Sequence, residues 1–283
     1  MHLVQDPSSL FARGERLNWW LEVPRCCKIG TMNEHMKYDN PPITEAIIDL
    51  TVTPRSDLAL DDLRRLSEKH SADYPKIENR IEAMGIMHVE PGGSTSASAQ
   101  QKQVGFKNTK DDEKLVWQPR LNGFTLSRLA PYQSWEPFCR EAQRLWVEYR
   151  KEVRPVEITR LAVRTINRID IPEGYVELKD YFRTSPEVSP DLPQSLAGFF
   201  MQLRIQLDDI AVELLINQTI VPPPRSGMIS VILDLDLFRM KDVPQDEAEI
   251  WAFYEILHDR RNLIFESCIT DKTRELFHHA SCD

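Results

Sequence analysis

The chain has 283 residues, 41% hydrophobic and 28% charged, a composition that excludes wholesale disorder, collagen-like repeats and a disulfide-dense mini-domain. Thirty-five basic residues against 44 acidic ones leave a formal charge of -9. That balance argues against a surface built as a whole to grip nucleic acid, while leaving room for a local basic patch. No run approaches the roughly 18 apolar residues that a membrane-spanning helix needs.

Residues 1–31 differ from the rest. They hold Trp19-Trp20, Cys26-Cys27 and four basic residues (Arg13, Arg16, Arg25 and Lys28), with no sustained periodicity. Arg13, Glu15, Arg16 and Asn18 interrupt any apolar core of a secretory signal. The expectation is an extension upstream of a natural start at Met32 or Met36, with a docking segment anchored by the two tryptophans as the alternative. The five cysteines form no C-x-x-C spacing. They read as reduced thiols of a cytoplasmic protein, Cys139 and Cys268 being small buried residues within helices.

After Pro41-Pro42, alternation of Ala46, Ile48, Leu50 and Val52 with polar neighbours predicts a strand over 43–54. Leu58, Leu60, Leu63 and Leu66 predict a helix running to about His70. Residues 76–90 lean towards strand, and the small polar tract 91–100 reads as an exposed loop or hairpin tip. Strands are expected over 102–108, 114–119 and 122–129, with Asn122-Gly123 marking the last turn. Ser134 stands as N-cap of a helix over 134–153, whose Trp135, Phe138, Ala142, Leu145, Trp146 and Tyr149 form an apolar stripe.

The second passage opens with a strand over 156–171, then a proline-rich connection containing a short helix around Val176–Phe182. Strands over 198–208, 211–220 and 228–239 follow. A closing helix is expected to begin near Asp242-Val243-Pro244-Gln245. The two passages share an order of strand, helix, antiparallel strands and long helix. The fold class read from this is α+β: pseudo-duplicated units at 32–154 and 155–283, mainly antiparallel sheet with two long helices packed on it, as one shared sheet or two domains.

Phosphate-loop, dinucleotide, H-E-x-x-H and G-x-S-x-G signatures are absent from the sequence, so no catalytic set, cofactor or metal site is assigned. The most suggestive constellation is Arg160, Arg164 and Arg168, which share one face of a strand with about 13 Å between neighbours. They either contact an anion or pair with acidic residues on neighbouring strands, the second reading being preferred. Asp234 and Asp236 share another strand face, and pairing with Arg164 or Arg168 would account for both features. Glu45 and Asp49 also share a face, too far apart for acid–base work on one bond. Asn167 falls on the apolar side, where its amide needs a partner. His88 and His258 have no sequence-local catalytic partners.

Pro41-Pro42-Ile43-Thr44-Glu45-Ala46, Thr165-Ile166-Asn167-Arg168-Ile169 and the stretch from Leu257 to Asp271 together resemble a sporadically distributed prokaryotic family of uncharacterised proteins about 250 residues long. The resemblance spans about residues 40–277 and marks Pro42, Glu45, Asn167, Asn262, Phe265 and Thr270 as motif positions, without implying an activity. Phe265 and Ile269 are expected to pack, Thr270 or Asp271 to cap a last turn, and Asn262 to bond carbonyls near a helix end. The functional expectation is a binding or regulatory module acting by self-association or with a protein partner. Two alternatives accompany it: an enzyme binding a nucleotide or phosphorylated metabolite across Arg160, Arg164 and Arg168, and a nucleic-acid-binding module.

Overall fold

A computed structural model describes residues 38–89, 95–194 and 196–278, the side chains of 84–100 excepted. The expected extension at 1–31 therefore lies outside the described residues, as do Cys26, Cys27 and Cys282. In chain order the elements are β1 (Ile43–Thr53), α1 (Leu60–Lys69), β2 (Lys76–Val89), β3 (Thr95–Thr109), β4 (Leu115–Arg120), β5 (Gly123–Leu129) and α2 (Trp135–Val153). They continue with β6 (Glu157–Ile171), α3 (Leu178–Tyr181), β7 (Phe200–Leu207), β8 (Val212–Val221), β9 (Ile229–Arg239), α4 (Glu247–Cys268) and α5 (Asp271–His278). The strands form a nine-stranded antiparallel sheet in the order β2-β3-β4-β5-β1-β6-β9-β8-β7. Residues from both expected spans thus enter one sheet, joined where β1 pairs with β6.

Strand parity divides the sheet. Ile48 and Leu50 of β1, Leu161 and Val163 of β6, Leu235 and Leu237 of β9, and Leu214 and Ile216 of β8 belong to one buried apolar cluster. That cluster also takes Leu63 of α1, Trp146 of α2, Tyr181 of α3, Tyr254 of α4 and Phe277 of α5. All five helices therefore cover the same face, where alternate apolar side chains find partners. Residues of the opposite parity, such as Ile47, Ile166 and Ile232, lie outside the cluster and are partly exposed. No helix among the described residues is long and apolar enough to cross a membrane.

Several local expectations shift. Of the tract expected as a loop or hairpin tip, Thr95–Gln100 are strand, because β3 already pairs with β2 from Thr95 onward, Val89 lying opposite Thr95, while 91–94 lie outside the described residues. Backbone pairing overrides the weak strand preference of small polar side chains. Helix α4 starts after Asp246 rather than Asp242: the Asp246 carboxylate accepts from the amides of Ala248 and Glu249, while Asp242 has a left-handed φ of 48°. Ser134 occupies the N-cap of α2, yet its hydroxyl makes no capping bond. Helix α4 runs on to Cys268, which leaves Asn262 well short of its end, with its amide 3.3 Å from His258 Nε2. Thr270 caps nothing through its side chain; its hydroxyl donates to the Asp180 carbonyl at 2.6 Å.

At Gly105 the chain passes so close to β4 that a Cβ would lie 2.2 Å from the Pro119 carbonyl oxygen and 2.8 Å from Arg120 Cα. Both obstacles are backbone, so the site cannot yield by a rotamer change. Gly105→Ala is expected to lower unfolding free energy by about 1–3 kcal/mol, read as a lower denaturant midpoint at unchanged slope. A midpoint equal to that of the parent would show that β3 and β4 are not held this tightly.

Candidate functional site: the uncovered face of the sheet

On the face away from the helices, charged and polar side chains from six strands form hydrogen-bonded groups. The Asp49 carboxylate of β1 accepts Arg160 Nη1 at 3.0 Å, Arg120 Nη2 at 2.8 Å and the Thr125 hydroxyl at 2.6 Å. Arg160 turns its other nitrogen to Asp236, with contacts of 2.9 and 3.1 Å, and its guanidinium lies 4.7 Å from the centre of the Phe238 ring. Arg164 makes a two-pronged bond to Asp234 at 2.8 and 2.6 Å, and Asn217 of β8 donates to the same carboxylate at 3.0 Å. Planar guanidinium and carboxylate groups match in this way, which adds orientation to charge.

Arg168 ends the row. Its Nε donates to Asp170 at 2.9 Å, and its Nη2 donates to the Pro222 carbonyl at 2.9 Å and the Ser230 hydroxyl at 3.1 Å. All three arginines are thus engaged by groups of the protein itself. Arg164 remains the most open of them, 41% exposed, over an Asp234 carboxylate that is only 7% exposed. The Asp234 hydrogen bonds hold Arg164 more firmly protonated than usual. Burial pushes Asp236 above the ordinary carboxylate range, against the pull of Arg160 and Arg164 and with the repulsion of Asp234 and Asp49 added. Its ionised form therefore depends on the neighbouring guanidiniums.

Between the charges sit Ile47, Ile166, Ile232 and Leu215, all partly exposed. In register, Ile47 lies beside Arg164, Ile166 beside Asp234, and Leu215 beside Asp236. Towards β2 the same face holds a hollow of about 290 Å³ whose lining includes Glu45, Lys76, Lys107, Thr109, Gln118 and Ser127. Lys76 approaches Glu113 at 3.5 Å and Lys107 reaches Glu78 at 3.1 Å.

The motif positions separate into two groups. Pro42, Glu45 and Asn167 meet where β1 joins β6: the Pro42 carbonyl accepts the Arg168 amide at 2.8 Å, and Glu45 pairs in register with Ile166. The Asn167 amide finds the required partner in the Leu233 carbonyl at 2.9 Å. Asn262, Phe265 and Thr270 lie on the helical side, where Phe265 packs against Tyr38 and Phe277. Among the described residues no group of three or more His, Cys, Asp or Glu could hold a metal ion. Cys139 and Cys268 are buried free thiols.

Sequence reasoning offers a pairing of Asp234 or Asp236 with Arg164 or Arg168, of which the structure forms Arg164 with Asp234, but it misses Arg120 and the linking role of Asp49. The signal was present: Arg120 and Thr125 flank the Asn122-Gly123 turn, so the β4–β5 hairpin register sets them on one face. What parity could not supply was which strand would lie beside β5. No protein-family model and no curated protein matches the chain.

Removing the shared cation should strand the Asp236 carboxylate, whereas Asp49 keeps Arg120 and Thr125. Arg160→Met is expected to destabilise the protein by about 3 kcal/mol, the lower end of what breaking such a pair costs. Adding Asp236→Asn to that variant should return part of the loss, because the stranded charge disappears. Additive losses in this double-mutant cycle, measured by denaturant unfolding, would refute the coupling.

Proposed function

We propose that the protein is a binding or regulatory module that acts through protein–protein association, with the uncovered sheet face as its contact surface. The observation that carries this reading is the absence of a helix layer from that face among the described residues. Partly exposed Ile47, Ile166, Ile232 and Leu215 lie there between fixed charges. A face of this kind combines apolar area with charge pairs already held in place, so a partner gains burial without having to order the guanidiniums. Engagement of Arg160, Arg164 and Arg168 by carboxylates, a carbonyl and a hydroxyl favours association over a nucleotide, phosphorylated-metabolite or nucleic-acid site on that strand. The acidic composition and reduced thiols suit a cytoplasmic setting.

The same reading takes the fold as an internal duplication. The sheet order supports it: β1 and β6 sit together at the centre, each flanked by the strand that precedes a helix of its own span, β5 before α2 and β9 before α4. An ancestral pair of units joined edge to edge through β1 and β6 would produce that arrangement.

The test is Ile47→Asp combined with Ile166→Asp, both on the exposed side of central strands. The parent protein is expected to sediment as an oligomer or to co-purify with a product of a neighbouring gene, and the double variant to lose that association with unchanged far-ultraviolet circular dichroism. A parent that stays monomeric and retains no such partner would overturn the proposal. So would a folded double variant that associates as the parent does.

A further inference from the structure

On the helical side, among the described residues, one buried arginine is left without a carboxylate partner. The inward stripe of α4 runs through Ile250, Tyr254, Leu257, Arg261, Phe265 and Cys268, so an arginine occupies a position where its neighbours one turn away on either side are Leu257 and Phe265. Arg261 is 5% exposed. Its guanidinium stays charged at any pH a protein survives, and a buried charge without a partner costs several kcal/mol. The arginines of the sheet face meet that requirement with carboxylates, and Arg274 does so with Glu266 and Asp271. Among the described residues no carboxylate pairs with Arg261. The polar group set against it is the Tyr132 hydroxyl.

That contact does not satisfy either residue. Arg261 Nε and the Tyr132 hydroxyl are both sealed from solvent without a well-formed hydrogen bond, an arrangement that native interiors rarely leave empty. Burial pushes the Tyr132 phenol up to about 12 even though Arg261 pulls it down, so at neutral pH it is a donor and supplies no negative charge. Tyr132 as a residue is partly exposed while its hydroxyl is buried, so the ring runs from the surface towards the guanidinium. It also stands two residues ahead of Ser134, the N-cap of the 19-residue helix α2, which lacks a side-chain cap. The positive end of that helix therefore adds to the field, tempered by Glu136 in its first turn.

We propose that Arg261 and Tyr132 form a binding site for a small oxyanion, a carboxylate or phosphate group, entering beside Tyr132. Two donors of fixed geometry and one uncompensated positive charge ask for a singly or doubly charged acceptor. The site is independent of the sheet-face contact, since it lies across the sheet on the helical side.

The experiment measures thermal unfolding of the full chain at constant ionic strength while chloride is replaced by acetate in one series and by inorganic phosphate in another. The parent is expected to show a saturating rise in melting temperature with one of the two, and the series that responds identifies the group. Arg261→Met is expected to lose that rise. Tyr132→Phe, which removes only one donor and keeps the ring, should need about tenfold more anion for the same shift, the value of one hydrogen bond. A parent indifferent to both anions would overturn the proposal, as would Arg261→Met responding like the parent. Should Arg261→Met fail to fold, Tyr132→Phe decides: a response equal to the parent's counts against the site.

Discussion

The carboxylate of Asp49 joins the strands contributed by the two halves of the chain. Through Arg120 and Thr125 it reaches β4 and β5, and through Arg160 it reaches β6 and, by way of Asp236, β9. The same residue also ties the sheet to the helices, because its backbone carbonyl accepts the Tyr254 hydroxyl of α4 at 2.8 Å. A β1–β6 seam without these links would still have its ladder of backbone bonds. Its register would then rest on the apolar pattern of one face alone, since the other face would offer no specific pairing. The alternation of charge across β4, β1, β6 and β9 supplies that second specification.

The network also explains why three arginines in an acidic protein do not amount to an open cationic strip. Each guanidinium is turned along the sheet towards a carboxylate, and the hydrophobic side chains between them become the features a partner would meet. Arg261 presents the opposite case. It lies in an apolar stripe with a tyrosine that cannot neutralise it, so the protein's unmet demand for negative charge sits beneath the helices and not on the arginine strand. Physical cost, and not the number of arginines, marks where an anion belongs.

Much of the fold was legible because strand and helix periods leave local traces. The alternation in β1, β6 and β9 and the three-and-four spacing in α2 follow from side chains of one element sharing one environment. The misplacements occurred where the deciding interaction was not in the side-chain pattern. Thr95–Gln100 look like a loop by composition but are strand because the backbone of β2 lies alongside. Asp242 looks like a helix cap, yet Asp246 has the geometry to accept the first-turn amides. Asn262 looks close to a helix end, but α4 continues to Cys268.

The amino-acid sequence by itself determined the α+β class, the elements and the face of β6 that carries Arg160, Arg164 and Arg168, since each depends on neighbours within a few residues along the chain. It determined too that Asn167 needed a partner, because a buried amide must find one wherever it lies. Only the tertiary structure decided that Asp49, Asp234 and Asp236 would be the partners of Arg160 and Arg164 and, among the described residues, that one face of the sheet would lack helices and Arg261 would have no carboxylate. Those outcomes depend on strand order and helix placement. Residues separated by 70 to 111 positions come within 3 Å in these pairs, and no local period encodes which strand lies beside which.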